Sequence, residues 1–321
     1  MHHYINKGNK SPKVGFGEGV LEGGKGNENV IVLGADITTS VGLNLFKDCF
    51  PERFFSFGIA EQNCMGVAAG LALSNKIPVF STYAVFSALR TTDQIRVSVC
   101  YNNLHVIIGG AHAGISVGPD GATHQALEDI AVLRSLPNMT ILSPCDATQT
   151  KLAVIAAIEQ TNSPVYIRFG REAVPDFTDE NMCFDIGTSQ ELHSGDDLCI
   201  IATGNLVWES LRPAYMLKEK GFHVRVINMH TLKPADEKAI IKAARETGAI
   251  LTAEEHQITG GLGSLVAETV VKHHPVPIEM IGIKDSFGES GQADELMQKY
   301  GLTAEHIVEK ALELMVRKGN S

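Results

Sequence analysis

The sequence predicts an α/β protein built from two doubly wound α/β domains in tandem. Three observations lead to this prediction. Short apolar strands alternate with helices as far as Arg171, the pattern then lapses over an acidic stretch containing Pro175 and Gly195, and a second alternation follows. Alternating strands and helices with short connections are typical of a parallel sheet covered by helices on both faces.

The lapse divides the chain of 321 residues. We expect residues 1–12 to form a flexible arm, because they are polar and contain no apolar run. A first domain is expected over residues 13–175 and a linker over residues 176–197, where acids, proline and glycine cluster. The second domain is expected over residues 198–321.

Apolar runs that end in glycine or a polar cluster predict the strands of both domains. In the first domain the strands are expected at residues 29–33, 54–57, 77–80, 104–108, 139–142 and 165–169. Helices are expected there at residues 15–24, from residue 60 onward, at 81–101, up to Arg134 and at 146–160. In the second domain we expect strands at residues 198–202, 224–228, 250–252 and 278–281 and helices at 206–220, 235–247, 263–272, 294–300 and 304–316.

The stretch over residues 54–71 is the most informative part of the first domain. Residues 54–57 predict a short buried strand, which Gly58 ends before a helix rich in small residues begins. Each glycine inside a helix costs about 1 kcal/mol relative to alanine. Gly66 and Gly70 therefore indicate that another backbone comes close to this helix.

Glu61 lies in the first turn of this helix, just past the carboxyl end of a strand. Ligands of open α/β sheets bind at that edge. An acid in the first turn also complements the helix dipole, by about 0.3–1 kcal/mol. The position alone therefore leaves both a structural and a functional role open.

Further polar residues are expected at carboxyl ends of the first domain's strands or in the loops that follow. The full set is Asp36, Ser40, Glu61, His112, Asp120, His124 and Arg171. These strand ends share one edge of a parallel sheet, so residues far apart in the chain can converge there. Each has a structural explanation of its own, such as turn formation at Asp120. Together they indicate a site for a small, anionic, hydroxylated substrate.

Composition argues against several other classes of function. The formal net charge of −10 and the lack of a basic run argue against nucleic acid or an anionic membrane as a partner. No signal peptide is visible, and no apolar run reaches the roughly 18 residues of a membrane span. The six scattered cysteines form no Cys-x-x-Cys pair, so a reducing, cytoplasmic location is expected. The spacing of His112 and His124 is not a zinc pattern, and we expect no metal on this chain.

Three segments of the first domain have distinctive sequences: Phe-Gly-Ile-Ala-Glu-Gln at 57–62, Ser-Thr-Tyr-Ala-Val-Phe at 81–86 and Gly-Pro-Asp-Gly-Ala-Thr-His-Gln at 118–125. These segments resemble the pyrimidine-binding domain of transketolase. Residues 228–234, 254–256 and 287–291 resemble its C-terminal domain. The resemblance extends over nearly the whole chain, from about Pro12 to Leu314.

The resemblance implies that thiamine diphosphate is the cofactor. Glu61 matches the catalytic glutamate that hydrogen-bonds the cofactor's aminopyrimidine ring, a role that requires a carboxyl able to hold a proton. The apolar surroundings expected around Glu61 favour that protonated form. Tyr83 and Phe86 match the aromatic residues beside the pyrimidine, whereas Leu89 replaces a third aromatic. Asp36 matches an acid near the cofactor.

The same resemblance implies the substrate contacts. Asp120 and His124 match residues that contact hydroxyls of the donor sugar, and His124 is also expected to act in catalysis. Contacts to the sugar phosphate are expected from His112, Ser40 and Arg171. Lys13 stands where the family has an arginine, so it keeps the charge but loses the two-pronged fork. His230 and His256 of the second domain are expected to be structural.

One family motif is missing from the chain. Transketolases hold the diphosphate and a divalent metal through Gly-Asp-Gly followed by Asn, and this sequence contains no Gly-Asp-Gly. The chain therefore resembles the C-terminal subunit of a split transketolase. The resemblance implies a partner subunit that holds the diphosphate with Mg²⁺, Ca²⁺ or Mn²⁺. It also implies self-association through the Gly/Ala-rich helix, giving a heterotetramer.

The function implied is the transfer of a two-carbon ketol unit between sugar phosphates, by a complex that is active only with both subunits. The β subunit of a 2-oxo acid dehydrogenase is an alternative, but it normally lacks the Thr-His-Gln block and needs no phosphate contact at Arg171. The C-terminal part of a deoxyxylulose-phosphate synthase is another, and residues 287–291 argue against it. A subunit with only a structural or regulatory role is the remaining alternative, against which the intact Glu61, His112, Asp120 and His124 argue.

Overall fold

Both domains are α/β units in the computed structural model, which describes residues 4–319. A seven-stranded sheet forms the centre of the first domain and a five-stranded sheet the centre of the second. The strands are β1 (Asn9–Lys10), β2 (Val30–Gly34), β3 (Phe54–Ser56), β4 (Ile77–Tyr83), β5 (Ile107–Ala111), β6 (Thr140–Leu142), β7 (Val165–Arg168), β8 (Val174–Pro175), β9 (Gln190–His193), β10 (Leu198–Ala202), β11 (Val224–Asn228), β12 (Thr231–Lys233), β13 (Ile250–Gln257) and β14 (Ile278–Ile283). The predicted α/β class is confirmed.

Helices cover the faces of both sheets. The α-helices of the described residues are α1 (Pro12–Gly26), α2 (Asn44–Cys49), α3 (Glu61–Leu73), α4 (Thr92–Gln94), α5 (Asp129–Arg134), α6 (Ala147–Glu159), α7 (Leu206–Lys218), α8 (Glu237–Thr247), α9 (Leu262–His273), α10 (Ala293–Lys299) and α11 (Ala304–Gly319). The π-helical turns Val85–Arg90 and Ile95–Cys100 flank α4, and 3₁₀ turns lie at Pro51–Arg53 and Ile115–Asp120.

The first sheet has the strand order β12-β6-β7-β5-β4-β2-β3, and the second has the order β14-β13-β10-β11-β9. Strands β2 to β7 run parallel to their neighbours, whereas β12 runs antiparallel to β6. Strand β9 runs antiparallel to β11 at the edge of the second sheet. Because β12 comes from the second half of the chain, it ties the second domain to the edge of the first sheet.

Two segments that were expected to lack structure take part in sheets. Strand β1 pairs with β8, and the backbone N–H of Lys7 donates to the carbonyl oxygen of Asp176 over 2.9 Å. The expected flexible arm over residues 1–12 is therefore tied down from Lys7 onward, while residues 1–3 lie outside the described residues. Strand β9 lies within the expected linker over residues 176–197.

The strand β3 is an edge strand, not the buried strand that was expected. Phe55 on this strand is 46% exposed. In the following helix α3, Gly66 and Gly70 are also exposed, and a Cβ added at either would meet no described atom within 4 Å. The backbone that was expected to come close to these glycines is therefore not found within residues 4–319.

Close backbone approach occurs instead at the glycine-rich helix α1. A Cβ at Gly15 would lie 1.8 Å from the carbonyl oxygen of Ala147, at the start of α6. A Cβ at Gly17 would lie 2.1 Å from the carbonyl oxygen of Gly42. Glycine at these positions lets α1 lie directly against its neighbours, and it thereby fixes the position of Lys13 in the first turn.

Apolar side chains of the two domains form a shared core. Tyr166 and Ile141 of the first sheet belong to the same buried cluster as Met229, Leu232 and Ile240 from the second half of the chain. Burial of apolar surface contributes about 25 cal/mol per Å². The shared core therefore resists relative movement of the two domains.

Acid is expected to destabilise the chain through His230. This residue is 2% exposed, and burial lowers its pKa from 6.5 to about 4. Between these two values the unfolded chain takes up a proton that the folded chain does not. The contribution of His230 to the free energy of unfolding is therefore fully present above pH 6.5 and is lost as the pH falls towards 4.

The free energy of unfolding should fall by about 2 kcal/mol between pH 7 and pH 5 through His230 alone. Urea unfolding at both pH values measures the change. The His230→Gln variant, which cannot titrate, should lose correspondingly less stability over the same interval. Identical losses in the variant and the wild type would contradict the prediction.

Candidate active site

Most of the polar residues predicted for the site follow carboxyl ends of strands in the first sheet. Asp36 follows β2, Glu61 begins α3 after β3, His112 follows β5 and Arg171 follows β7. Strands β3, β2, β4, β5 and β7 are parallel neighbours, so their carboxyl ends lie along one edge of the sheet. The fold therefore gives these side chains a common edge.

Glu61 is buried at the start of α3, with 3% of its surface exposed. Both carboxylate oxygens accept hydrogen bonds from Nη1 of Arg90 over 2.9 Å. The Arg90 guanidinium also lies 4.1 Å from the centre of the Phe86 ring, at cation–π distance. The expected burial of Glu61 is therefore confirmed, but the expectation of purely apolar surroundings is wrong, because β3 is largely exposed and the Arg90 guanidinium lies beside the carboxylate.

Four rings gather next to this ion pair. The Tyr83 and His112 rings are stacked, with centroids 4.4 Å apart and planes inclined by 18°. The His124 ring meets two others edge-on, at 5.9 Å from Tyr83 and 5.4 Å from Phe86. Tyr83 is the last residue of β4, so the helix expected from residue 81 begins after it, and Tyr83 and Phe86 face each other at 6.1 Å across this junction.

His112 is the most unusual residue of the site. It is 5% exposed, and its φ of 53° lies in the left-handed region. Burial lowers the pKa of His112 to about 4, and the nearby Arg171 and Lys13 act in the same direction, against smaller effects of the Ser40 backbone and Asp120. Neither ring nitrogen makes a hydrogen bond of normal geometry with a described residue, although the Ser40 backbone lies close enough to raise the pKa of the ring slightly. An unpaired buried polar atom costs about 1–3 kcal/mol, so a ring without a well-formed partner indicates a place for a ligand.

Cations lie close to this neutral imidazole. Nη1 of Arg171 donates to the carbonyl oxygen of Val117 over 2.9 Å and lies 3.4 Å from Oδ2 of Asp120. Lys13 and Arg171 both act electrostatically on His112. Two cations beside a ring that can donate a hydrogen bond form a corner suited to an anion such as phosphate.

The remaining predicted residues differ in how closely they join the site. Nδ1 of His124 lies 3.0 Å from the hydroxyl oxygen of Thr123. Asp36 is exposed at a φ of 64°, and within residues 4–319 no hydrogen bond or ion pair joins it to the other predicted site residues. Its role near a cofactor therefore stays a prediction.

The interpretation of the sequence missed Arg90. Phe86 and Arg90 are four residues apart in the helix that follows β4, a spacing that places both side chains on one helix face. That spacing could have placed a cation beside the predicted aromatic residues. The spacing of Phe86 and Arg90 does not indicate, however, that Arg90 pairs with Glu61, which lies 29 positions earlier.

Between residues 4 and 319, no group of three or more His, Cys, Asp or Glu side chains could hold a metal ion. None of the helices in this range combines the length and the apolar character that a membrane crossing needs. All six cysteines are free thiols, and Cys49 and Cys183 are the exposed ones.

Two family models match the chain. The model described as the transketolase pyrimidine-binding domain matches residues 13–176, and the model described as the transketolase C-terminal domain matches residues 187–307. The first span contains β2 to β7 of the seven-stranded sheet, and the second contains the five-stranded sheet together with β12.

Two relatives and one solved structure match over nearly their whole length. A putative transketolase C-terminal section from Methanocaldococcus jannaschii is 43% identical over 312 residues, covering 96% of this chain and 98% of the relative. A 6-deoxy-6-sulfo-D-fructose transketolase subunit from Clostridium sp. is 39% identical, with coverages of 93% and 92%. A solved structure has the description "Split gene transketolase, inactive beta4 tetramer", where beta4 refers to the tetramer and not to a strand. It is 44% identical with a TM-score of 0.90, and the match covers 96% of this chain and 99% of that one. The chain therefore belongs to the transketolase family and carries its pyrimidine-binding and C-terminal domains in tandem.

Proposed function

We propose that this chain is one subunit of a thiamine-diphosphate-dependent transketolase that transfers a two-carbon ketol unit between sugar phosphates. The observation that carries the proposal is the corner around His112, where a buried neutral imidazole without a well-formed hydrogen bond lies near Lys13 and Arg171. Such a corner suits a hydroxylated substrate that bears a phosphate. The relatives whose names describe transketolase subunits support the same class of reaction.

The residues around Glu61 fit the aminopyrimidine half of thiamine diphosphate. The buried Glu61 carboxylate is linked through Arg90 to the Phe86 ring, which lies 6.1 Å from that of Tyr83, so the site offers one hydrogen-bonding group and two aromatic rings. When bound, the cofactor supplies the carbon that carries the two-carbon unit. Glu61 holds a proton at its carboxyl against the cofactor ring in this proposal. Arg90 then has to give up at least one of the two carboxylate oxygens that it now contacts.

The other site residues orient the substrate in this proposal. Asp120 and His124 bind hydroxyls of the donor sugar, and His124 also moves a proton at the reacting hydroxyl. The phosphate is bound by His112, Ser40, Lys13 and Arg171. Asp36 acts indirectly, near the cofactor. These roles are the ones that the resemblance to transketolase implies, and the position of Asp36, His112 and Arg171 after neighbouring parallel strands supports them.

The partner subunit is proposed to hold the diphosphate together with Mg²⁺, Ca²⁺ or Mn²⁺, because this chain has no Gly-Asp-Gly motif. Self-association is proposed through α3, giving a heterotetramer with two copies of each subunit. Gly66 and Gly70 are exposed on this helix, and Leu73 at its end is 69% exposed. Ile59, just before α3, is 78% exposed. Exposed apolar surface of this kind marks interaction sites.

Reconstitution tests the proposal. An adjacent reading frame that encodes Gly-Asp-Gly followed by Asn is sought, and its product is purified together with this chain. Ketol transfer is then measured with and without thiamine diphosphate and magnesium. We expect activity from the mixture with cofactor and none from either subunit alone. Mixing the chain with the diphosphate-binding subunit of an unrelated complex serves as the control.

Other outcomes assign a different function. Activity from this chain alone would mean that the partner is not needed. A stable complex that decarboxylates 2-oxo acids and leaves sugar phosphates unchanged would assign the chain to the 2-oxo acid dehydrogenases. Condensation of pyruvate with glyceraldehyde 3-phosphate would assign it to the deoxyxylulose-phosphate synthases.

A further inference from the structure

We propose that the second domain holds the sugar-binding loop in its working shape and that Glu255 is the positioning residue. The sugar-binding loop comprises residues 112–128, between β5 and α5, and it carries Asp120 and His124. This inference rests on the proposed function, because it assigns to the second domain a part in binding the donor sugar.

The sugar-binding loop has little regular structure of its own. Its 3₁₀ turn at Ile115–Asp120 is interrupted at Gly118, whose φ of 79° is not helical. Gly114 and Gly121 also have positive φ values, of 93° and 75°. A loop with few regular hydrogen bonds depends on its surroundings for its shape. Those surroundings come largely from the second domain.

Glu255 of β13 supports the loop from within the protein. Its Oε1 accepts a hydrogen bond from the backbone N–H of Ser116 over 2.5 Å, and the residue is 3% exposed. A Cβ at Gly114 would lie 2.3 Å from this carboxylate, so only glycine leaves room for it. Nη2 of Arg168 donates to the carbonyl oxygen of Glu255 over 2.8 Å, and its Nε pairs with Asp129 at 3.0 Å. Arg168 thus pairs with Asp129 and also holds the backbone of Glu255, while the Glu255 carboxylate accepts from Ser116.

A second contact holds the far end of the loop. Nε2 of Gln125 donates to the carbonyl oxygen of Glu289 over 2.9 Å and to that of Ile115 over 3.1 Å. A Cβ at Gly121 would lie 2.5 Å from the hydroxyl oxygen of Ser290, which shows how closely the second domain approaches. Asp120 and His124 therefore lie on a segment that the second domain holds at both ends.

Loss of the Glu255 contact should impair the binding of a long sugar more than that of a short donor. Hydroxypyruvate carries a ketol unit but lacks the further hydroxyls that Asp120 and His124 are proposed to bind. In the reconstituted complex, Glu255→Ala should raise KM for a ketose phosphate about tenfold or more and leave hydroxypyruvate within about twofold. Glu255→Gln keeps an oxygen that accepts from Ser116 and should restore most of the loss.

Glu254 provides a matched control. It is the preceding residue on β13 and equally buried, but its carboxylate accepts from the backbone N–H groups of Leu262 and Gly263, over 2.7 and 2.8 Å, at the start of α9. Glu254→Ala should lower stability without separating the two donors. Equal KM changes for both donors in Glu255→Ala, or no change in either, would overturn the inference.

Hydrogen exchange tests the positioning role without substrate. Backbone amides of residues 116–124 should exchange faster in Glu255→Ala than in the wild type, and in Glu254→Ala they should not. Unchanged exchange in Glu255→Ala would overturn the inference even if the complex were active. A wild-type complex without ketol transfer would instead reject the proposed function, and the exchange measurement would still decide the positioning role.

Discussion

Replacing Glu61 with glutamine is expected to abolish ketol transfer in the reconstituted complex, with turnover reduced by about 10²- to 10⁴-fold. The side chain keeps its volume and one oxygen, so Arg90 can still donate to it, as it now does over 2.9 Å. What is lost is the ability to gain and release a proton. Since the substitution changes little volume and keeps an oxygen that accepts from Arg90, the fold and subunit assembly should be unaffected.

The measurement is turnover at saturating cofactor and donor, together with size-exclusion chromatography of the complex. Asp93→Asn is a suitable control, because Asp93 is an exposed acid in the same helical segment as Arg90 and has no assigned role. It should retain wild-type turnover. Wild-type turnover in Glu61→Gln would remove Glu61 from the mechanism, and failure to assemble would show that its role is structural.

The elements that could be predicted from the sequence are those that local chemistry determines. The strands Leu198–Ala202 and Val224–Asn228 have the predicted bounds, because each is an apolar run between turn-forming segments. Helix α6 begins where Asp146 caps it by accepting from the backbone N–H of Gln149 over 2.8 Å. In contrast, Thr231–Lys233 and Gln190–His193 are short and polar. They become strands only because a neighbouring strand offers free hydrogen-bonding groups. The local sequence pattern does not indicate that such a neighbour is present.

In the candidate site, too, some features could be predicted from the sequence and others could not. The rule that ligands bind at the carboxyl edge of a parallel sheet was enough to place Glu61, His112 and Arg171 on one edge. The electrostatic setting of Glu61 depends instead on Arg90, a partner 29 positions away. It also depends on β3 being an edge strand, which is decided by strand order and not by the apolar character of Phe55. Strand order is a property of the whole domain, so a single sequence could not give it.

Replacing Arg171 with alanine is expected to weaken the binding of phosphorylated donors by about 2–3 kcal/mol, or about 30- to 150-fold in KM. The guanidinium lies next to Asp120, at 3.4 Å, and acts on His112, so it belongs to the corner proposed to bind phosphate. An unphosphorylated ketose makes no such contact and should lose much less. The ratio of kcat/KM for a ketose phosphate and its unphosphorylated counterpart is the quantity to measure.

Two further variants separate the phosphate contact from other roles of Arg171. Its Nη1 also donates to the carbonyl oxygen of Val117 over 2.9 Å, so alanine removes a support of the sugar-binding loop as well. Arg171→Lys keeps the positive charge but cannot bind phosphate through two parallel hydrogen bonds. It should recover part of the discrimination between the ketose phosphate and the unphosphorylated ketose. Lys13→Ala removes a second cation near His112 without touching Val117 and should lower the same ratio by a smaller factor. If Arg171→Ala impairs both ketoses equally, Arg171 supports the loop and the phosphate lies elsewhere.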